Sequence, residues 1–330
     1  MTKPSSVVTP HLSPSTVLRP DLKVPLGRSG LNVSRLGVGC GTLALAEGSE
    51  QALATLDAAW RAGLRYFDTA PLYVGSEELL GAFLASKDRA EAVVATKIGR
   101  SPALAGARRF AFDQSTIAGS LDLSFGRLGT DRLDLVSIHD LTRAMLTDGY
   151  DQARRDLDAT LPYLERLKAE GRIGALAVAV YDPADALELL RLGTFDVIMI
   201  VGAYTLLSQA AQAALLPYCQ ARNIGVVVAS PYHTGVLVTG AVANASFNFR
   251  PASEPILDLV RKIEAVCQTH GVPLPAAALQ FPLRHPAISS VMVGQSAPSE
   301  LADNVSWAKQ PIPEEFWNDI ARLQNATPIE

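Results

Sequence analysis

Residues 65–97 read RYFDTAPLYVGSEELLGAFLASKDRAEAVVATK, and this stretch contains one full unit of the pattern that decides the fold. The apolar run Arg65–Phe67 predicts a short buried strand, and Ser76–Ala85 carries apolar residues at helical spacing. A second apolar run, Ala92–Thr96, predicts the next strand. A strand, a helix and another strand in this order are typical of neighbouring parallel strands joined by a helix.

The same alternation continues from Leu36 to the end of the chain. It predicts eight strands: Leu36–Cys40, Arg65–Phe67, Ala92–Thr96, Leu133–Ile138, Ala175–Val180, Val197–Val201, Gly225–Ala229 and Ser289–Val293. It also predicts eight helices: Glu50–Ala62, Ser76–Ala85, Ser115–Arg127, Arg154–Glu170, Pro183–Leu192, Ala210–Ala221, Glu254–His270 and Ala297–Ala308. Because no linker or change of composition separates two halves, we predict an α/β fold with one closed (β/α)₈ TIM barrel rather than two doubly wound domains.

Further segments are predicted at the two ends of the chain. Val24–Val33 contains Arg28-Ser29-Gly30 between apolar residues, which favours a small hairpin over the bottom of the barrel. Pro313–Leu323 is expected to form an extra helix after the eighth unit. The first residues are rich in Pro, Ser and Thr, so we expect residues 1–23 to be a flexible tail and residues 24–330 to form the barrel domain.

Charge, hydropathy and cysteine content limit the kinds of partner. A net charge of -4 without blocks of like charges argues against nucleic acid and against an anionic membrane surface. The longest nearly apolar run, Val197–Leu207, is shorter than the roughly 18 to 20 residues that span a bilayer. Cys40, Cys219 and Cys267 are odd in number and lack metal-site spacing, so we expect reduced thiols in a cytoplasmic protein. Nothing in the sequence indicates the oligomeric state.

Polar residues follow three consecutive predicted strands. Asp68 ends the second strand and Tyr73 lies in its loop, Lys97 ends the third strand, and His139 ends the fourth. Sequential strands of a barrel are neighbours, and active sites of such barrels lie at the carboxyl ends of the strands. Each residue alone has an ordinary structural role, such as capping a helix, but four at matching positions predict a shared site.

These four side chains suit proton transfer. The ordinary pKa of a phenol is about 10, and a neighbouring ammonium group lowers it, so Lys97 is expected to activate Tyr73. Asp68 would hold Lys97 in its charged form, and His139 would orient a substrate oxygen. Hydride transfer would require a cofactor, because no side chain supplies it.

The segments GLRYFDTAPLY, ATK and SIHD resemble the catalytic elements of the aldo-keto reductases, over roughly residues 24–325. That resemblance implies a (β/α)₈ barrel with a nicotinamide cofactor, Tyr73 as general acid/base, Lys97 and Asp68 as its supporting pair, and His139 as the substrate orienter. The stretches GAYTLLSQ, HGVPLPAAALQFPLRHP and PIPEEFW are similar to the branch of aldose 1-dehydrogenases and pyridoxal 4-dehydrogenases. This branch implies oxidation of the anomeric carbon of a cyclic hemiacetal to a lactone, with a sugar or a pyridoxal-like molecule as substrate.

The cofactor contacts are expected in the first, seventh and eighth units. GVGCGTLA (37–44) lacks the third glycine of a dinucleotide fingerprint, so Gly41-Thr42 is interpreted as a place where a cofactor approaches closely. The resemblance further implies contacts from Asp68, Ser230, Thr234, Gly235, Tyr204, Gly294, Gln295, Ser296, Glu300 and Asn304. Many NADP-specific members carry Lys and Arg where this chain has Gly294 and Glu300, which favours NAD and leaves NADP as the alternative.

The substrate and the nicotinamide ring have weaker sequence signals. Leu43, Asp140 and His233 lie in loops that are expected to contact substrate, together with Tyr73 and His139. Many members hold the nicotinamide amide with Ser-Asn and Gln where this chain has Ala179-Val180 and Val201, and the similar dehydrogenases keep an Asn one residue later, where this chain has Tyr181.

The same residues are compatible with other functions. An NADPH-dependent aldehyde or ketone reductase would use the same four residues in the reverse direction, and a non-catalytic cofactor sensor would bind the cofactor without turnover. A metal-dependent hydrolase is disfavoured, because the sequence lacks the His and Asp clusters that bind a metal.

Overall fold

The computed structural model describes residues 18–102 and 110–326. Its strands are β1 Lys23–Pro25, β2 Asn32–Ser34, β3 Leu36–Gly39, β4 Tyr66–Asp68, β5 Val93–Ile98, β6 Leu133–His139, β7 Ile173–Val180, β8 Val197–Val201, β9 Gly225–Ala229, β10 Ser246–Phe247, β11 Arg250–Pro251 and β12 Ile288–Gly294. Its helices are α1 Ser49–Arg61, α2 Ser76–Leu84, α3 Gln114–Leu128, α4 Arg143–Leu146, α5 Tyr150–Ala169, α6 Pro183–Leu189, α7 Leu215–Ala221, α8 Val236–Thr239, α9 Glu254–His270, α10 Leu274–Gln280, α11 Pro298–Lys309 and α12 Glu314–Ala326.

Eight parallel strands close into a barrel in the order β12-β3-β4-β5-β6-β7-β8-β9. The predicted TIM barrel is therefore confirmed, and the registers place the strand ends of the site side by side. Gly39 pairs with Asp68, and Lys97 pairs with Ser137. β1 and β2 form the predicted antiparallel hairpin, which closes the amino-terminal end of the barrel.

Side chains of different size point to the two faces of the barrel strands. In β7, Ala175, Ala177 and Ala179 belong to the cluster inside the barrel, whereas Leu176 and Val178 pack with the surrounding helices. Successive side chains of a strand point to opposite faces, so this alternation follows directly from the extended backbone. Small residues inside the barrel leave room for a cavity at the carboxyl ends of the strands.

Several elements differ from the predicted ones: the short elements α4, α8, β10 and β11 were not predicted. The helix expected at Ala210–Ala221 begins only at Leu215, because the backbone N–H groups of Ala211 and Leu216 bond to carbonyl groups at the turn before it. The helix α10 was not predicted either, and two prolines lie at its start. Pro273 and Pro275 lie before it and in its first turn, where proline has no backbone hydrogen bond to lose.

The predicted tail is only partly within the described residues. Residues 1–17 lie outside them. The carbonyl groups of Pro20 and Leu22 accept hydrogen bonds from the backbone of Leu36 and Arg35, which joins the segment before β1 to the first barrel strand.

Candidate active site

Three barrel strands carry Asp68, Lys97 and His139 to the same cavity. Asp68 and His139 are the last residues of β4 and β6, and Lys97 is the residue before the last in β5. All three side chains are buried and line the cavity at the carboxyl end of the barrel. The spacing along neighbouring strands therefore places them together without any help from a loop.

Lys97 and Asp68 form a buried ion pair at the base of the cavity. The Lys97 Nζ also donates to the backbone carbonyl of Thr69 at 2.9 Å. Burial alone lowers the pKa of Lys97, but Asp68 and Tyr73 raise it, and the net shift of the pKa is upward. Lys97 is therefore a cation held at a fixed position, because one of its acceptors is a backbone carbonyl and the other is a buried carboxylate.

Tyr73 projects from the loop after β4 and faces both Lys97 and His139. The Lys97 Nζ lies 4.9 Å from the centre of the Tyr73 ring, and the His139 ring meets it edge-on at 5.9 Å. Gly41 makes this position available, since a Cβ atom there would lie 3.2 Å from the Tyr73 ring. The sequence assigned Gly41 to a cofactor contact, and the structure adds that it provides space for the Tyr73 phenol.

The environment of the Tyr73 phenol acts on its pKa in two directions. Burial raises the pKa of Tyr73, and the Lys97 ammonium lowers it, but burial is the larger effect. Lys97 thus lowers the pKa of Tyr73 in the predicted direction, but the net pKa stays above its ordinary value. At neutral pH Tyr73 is therefore a neutral phenol that can donate a proton.

His139 is a neutral imidazole in this site. Its burial, reinforced by the positive charges of Lys97 and Arg100, moves the pKa of His139 well below its ordinary value. Its Nε2 lies 3.5 Å from the Oδ2 atom of Asp140, which favours the tautomer with the proton on Nε2. That N–H can donate a hydrogen bond to a substrate oxygen beside Tyr73.

We call the space around these side chains the inner cavity, with a volume of about 190 Å³. Besides the four predicted residues it is lined by Gly39, Gly41, Thr42, Asp140, Ala179, Tyr181, Met199, Val201, Ala229, Ser230, Phe249, Met292 and Gly294. Part of the wall is apolar, since it is formed by Ala179, Val201 and Ala229. A flat ring bound there would be held by packing rather than by side-chain amides.

A second space, the outer cavity, has a volume of about 620 Å³ and adjoins the inner cavity. The two share four lining residues: Thr42, Ser230, Phe249 and Gly294. The outer cavity is lined further by the predicted cofactor contacts Thr234, Gly235, Gln295, Ser296, Glu300 and Asn304. Together the cavities form one elongated cleft, with the proton-transfer residues at its inner end.

The outer cavity fits the phosphate and adenosine portion of a dinucleotide. Two buried polar atoms have no hydrogen-bond partner within the described residues: Nε2 of Gln295 and Oγ1 of Thr42. Each can therefore form a hydrogen bond with a ligand or with water. Helix α11 begins at Pro298, directly at this cavity, and a helix amino terminus favours anions. The residues present therefore suit a phosphate-bearing cofactor.

Glu300 and Asn304 also have partners within the protein. The Glu300 carboxylate accepts hydrogen bonds from the backbone N–H of Ser296 at 2.6 Å and from its hydroxyl at 3.1 Å. Asn304 accepts one from the Tyr232 hydroxyl at 2.7 Å. Both residues thus shape the loop and helix start as well as line the cavity.

Three predicted site residues do not reach the cleft. Leu43 is 1% exposed and packs in the core outside the barrel. His233 is also buried: its Nε2 bonds to the Thr205 hydroxyl at 2.6 Å, and its Nδ1 bonds to Asn248 at 3.0 Å. Tyr204 packs against Phe281 and faces a different cavity between α7 and α12. The sequence placed these residues in loops at the carboxyl ends of the strands, but side-chain direction in a loop cannot be derived from spacing.

Conversely, Arg100, Phe249 and Met292 belong to the site and were not predicted. Arg100 forms an ion pair with Asp140, and its place just beyond β5 was a signal available in the sequence. Phe249 lies in the turn between β10 and β11 and lines both cavities. Its position had no sequence signal, since a two-residue hairpin far from the barrel strands brings it there.

The chain matches known proteins over nearly its whole length. The aldo/keto reductase family model matches residues 35–325. The chain is 36% identical to a D-threo-aldose 1-dehydrogenase from a Pseudomonas species, covering 90% of this chain and 95% of that relative. It is 31% identical to a pyridoxal 4-dehydrogenase from Microbacterium luteolum, covering 92% and 97%. The solved holo form of aldo-keto reductase AKR11C1 from Bacillus halodurans superposes with a TM-score of 0.72 at 26% identity, covering 91% of this chain and 95% of that chain.

Within residues 18–102 and 110–326, no group of three His, Cys, Asp or Glu side chains is arranged to hold a metal ion. No helix in the same ranges is long and apolar enough to cross a membrane.

Proposed function

Because the chain belongs to the aldo/keto reductase family, we propose that it transfers hydride between a nicotinamide cofactor and the anomeric carbon of an aldose-like cyclic hemiacetal, forming a lactone. As a member of this family the chain is an oxidoreductase that uses a nicotinamide cofactor. The observation that carries the proposal is the meeting of Tyr73, the Lys97–Asp68 pair and His139 at the inner end of a dinucleotide-sized cleft.

The proton chemistry follows from the positions of these side chains. Oxidation of a hemiacetal removes hydride from the anomeric carbon and a proton from its hydroxyl group, leaving a carbon–oxygen double bond. A bound nicotinamide ring would supply the hydride acceptor. Tyr73, deprotonated and stabilised by Lys97, takes the proton, while the Nε2–H of His139 donates to the same oxygen and fixes its place.

The cofactor in this proposal is NAD rather than NADP. Glu300 and Asp303 place two carboxylate groups along the outer cavity, and no Lys or Arg is among its described lining residues. Negative groups repel a 2′-phosphate but accept hydrogen bonds from a ribose hydroxyl. Gly294 adds a steric reason: a Cβ atom there would lie 2.9 Å from the Thr42 side chain, so a lysine at this position would displace Thr42.

Glu300→Arg is expected to increase kcat/KM with NADP by about 10-fold relative to NAD, since a charge-assisted hydrogen bond to the phosphate replaces repulsion. Glu300→Gln, which keeps an acceptor for Ser296, should produce a smaller change in the same direction. Steady-state kinetics with both cofactors measure the ratio. Ser299→Arg is the matched control, because it adds the same charge one residue earlier, outside the cavity lining. An equal change in both variants would contradict the role of Glu300.

The raised pKa of Tyr73 predicts opposite pH dependences in the two directions of reaction. Oxidation requires the phenolate, so its kcat/KM should rise with pH from neutral into the alkaline range. Reduction of an aldehyde requires the neutral phenol, so its kcat/KM should be level at neutral pH and fall in alkaline solution. Initial rates in both directions across this range test the assignment, and an oxidative rate independent of pH would show that another group removes the proton.

An aldehyde or ketone reductase that uses NADPH is the second candidate. The neutral phenol of Tyr73 favours this direction, because it can donate a proton. A spectrophotometric panel separates the two: NAD and NADP with L-fucose, D-arabinose, L-galactose and pyridoxal, and the reduced cofactors with simple aldehydes. Lactone formation with NAD supports the proposal, faster reduction with NADPH supports the second candidate, and cofactor binding without any turnover would support a sensor instead.

A further inference from the structure

The imidazole of His233 has a fixed position and a single tautomer. The Thr205 Oγ1 atom accepts hydrogen bonds from two backbone N–H groups, those of Leu207 and Ser208, each at 3.2 Å. Its own hydrogen is therefore donated to the His233 Nε2 atom at 2.6 Å. Burial lowers the pKa of His233 below its ordinary value, so the imidazole is neutral at neutral pH. Its one proton lies on Nδ1, which donates to the Asn248 Oδ1 atom at 3.0 Å. His233 thus connects the loop after β8 to Asn248 through two directed hydrogen bonds.

Asn248 and Phe249 form the turn of the hairpin between β10 and β11. Their φ angles are 50° and 64°, so both lie in the left-handed region, as in the common two-residue hairpin turns. Asparagine adopts this conformation readily, whereas a bulky aromatic residue does so only under strain. The Phe249 N–H donates to the Thr234 Oγ1 atom at 3.1 Å, and His233 binds the neighbouring Asn248 side chain. These two bonds hold the turn in a conformation that Phe249 alone does not favour.

The ring of Phe249 contributes little to the packing of the protein. Phe249 is 81% exposed, more than any other large apolar residue in the described part of the chain. It is also one of the four residues that line both the inner and the outer cavity. A ligand in the cleft can bury this ring, and burial of apolar surface favours binding. A strained turn that places an exposed ring at a cleft is better explained by ligand binding than by stability.

We propose that His233 is a positioning residue, which acts through Asn248 to hold the Phe249 ring over the bound nicotinamide cofactor. The ring lies where the inner cavity, with the proton-transfer residues, joins the outer cavity, which fits the phosphate and adenosine portion. Phe249 would therefore contact the portion of the dinucleotide between the nicotinamide ring and the adenosine. This inference rests on the cofactor of the proposed function, and it gives His233, which the sequence assigned to the substrate, a role in cofactor binding instead.

Isothermal titration calorimetry with NAD measures the contribution of the Phe249 ring. Phe249→Ala is expected to raise the dissociation constant of NAD by about 10-fold, because the variant loses an apolar ring that the cofactor buries. Its melting temperature, measured without added cofactor, should be nearly unchanged, since the ring makes little contact within the protein. Val242→Ala is the matched control: Val242 is an apolar residue of the same segment, 49% exposed and outside both cavity linings. It should leave the dissociation constant unchanged.

Two variants of Asn248 test the hydrogen bond from His233. Asn248→Gly tolerates the left-handed backbone and removes the acceptor, so it is expected to raise the dissociation constant of NAD by about 3- to 10-fold. Asn248→Asp keeps an acceptor for the Nδ1–H of His233 and should bind NAD like the wild-type protein. Added to Phe249→Ala, the Asn248→Gly substitution should have no further effect, because the ring that Asn248 positions is absent.

Three results would overturn the inference: Phe249→Ala binding NAD as tightly as the wild-type protein, Asn248→Asp binding it as weakly as Asn248→Gly, or additive effects in the double variant. A raised substrate KM in Phe249→Ala with an unchanged dissociation constant of NAD would also overturn it, since the ring would then contact the substrate. A wild-type protein that binds neither NAD nor NADP would instead overturn the proposed function itself.

Discussion

Replacing Tyr73 with phenylalanine is expected to lower kcat/KM by about 10³-fold, since general acid–base catalysis contributes roughly 10² to 10⁴. The variant removes only the hydroxyl oxygen, so the ring keeps its contacts with Gly41, Lys97 and His139. The cofactor should still bind, because the outer cavity does not include Tyr73. Steady-state kinetics give the loss of activity, and quenching of intrinsic fluorescence by cofactor gives the dissociation constant.

Tyr181→Phe is the control for this prediction. Tyr181 lines the same inner cavity and is partly exposed, and burial raises its pKa to about 12. The Lys97 ammonium is not paired with the Tyr181 hydroxyl. Loss of that hydroxyl should therefore change kcat/KM only a few-fold. Retained activity in Tyr73→Phe, or an equal loss in Tyr181→Phe, would remove Tyr73 from the role of acid and base.

Replacing Lys97 with methionine is expected to reduce both activity and stability. The Asp68 carboxylate would remain buried without its cation, and removing one partner of a buried ion pair costs about 3–5 kcal/mol of unfolding free energy. The phenolate of Tyr73 would lose its stabilising charge, so kcat should fall by about 10²-fold or more in the oxidative direction. Urea denaturation measures the first effect, and initial rates with saturating cofactor measure the second.

The double variant Asp68→Asn with Lys97→Met separates these two effects. The double variant contains no unpaired buried charge at this site. It should therefore recover most of the unfolding free energy that Lys97→Met loses, while remaining inactive. Lys168→Met serves as a comparison on the outside of the barrel, where Lys168 pairs with Asp196 and its side chain is 30% exposed. It should cost much less stability and leave kcat unchanged. Recovery of activity in the double variant would mean that Lys97 is needed only to neutralise Asp68.

Residues at strand ends could be predicted from the sequence better than residues in loops. The barrel and three of the four proton-transfer residues depend on strand ends, and strand ends follow from short-range periodicity that can be recognised along the chain. The fourth, Tyr73, lies in the adjacent loop and was identified by its type and by a resemblance to a family. Prediction was poorer for residues in loops: the side chains of Leu43, His233 and Tyr204 pack away from the cleft.

By itself, the sequence determined the eight βα units, their order and the place of Asp68, Lys97 and His139 at neighbouring strand ends, because alternation and register are local properties of the backbone. Only the tertiary structure decided the net direction of the Tyr73 pKa, the pairing of Arg100 with Asp140, and the packing of Gly294 against Thr42. Each of these depends on burial or contact between residues that are distant in the chain. Desolvation and steric fit arise only when the barrel closes, so they have no counterpart in the local pattern.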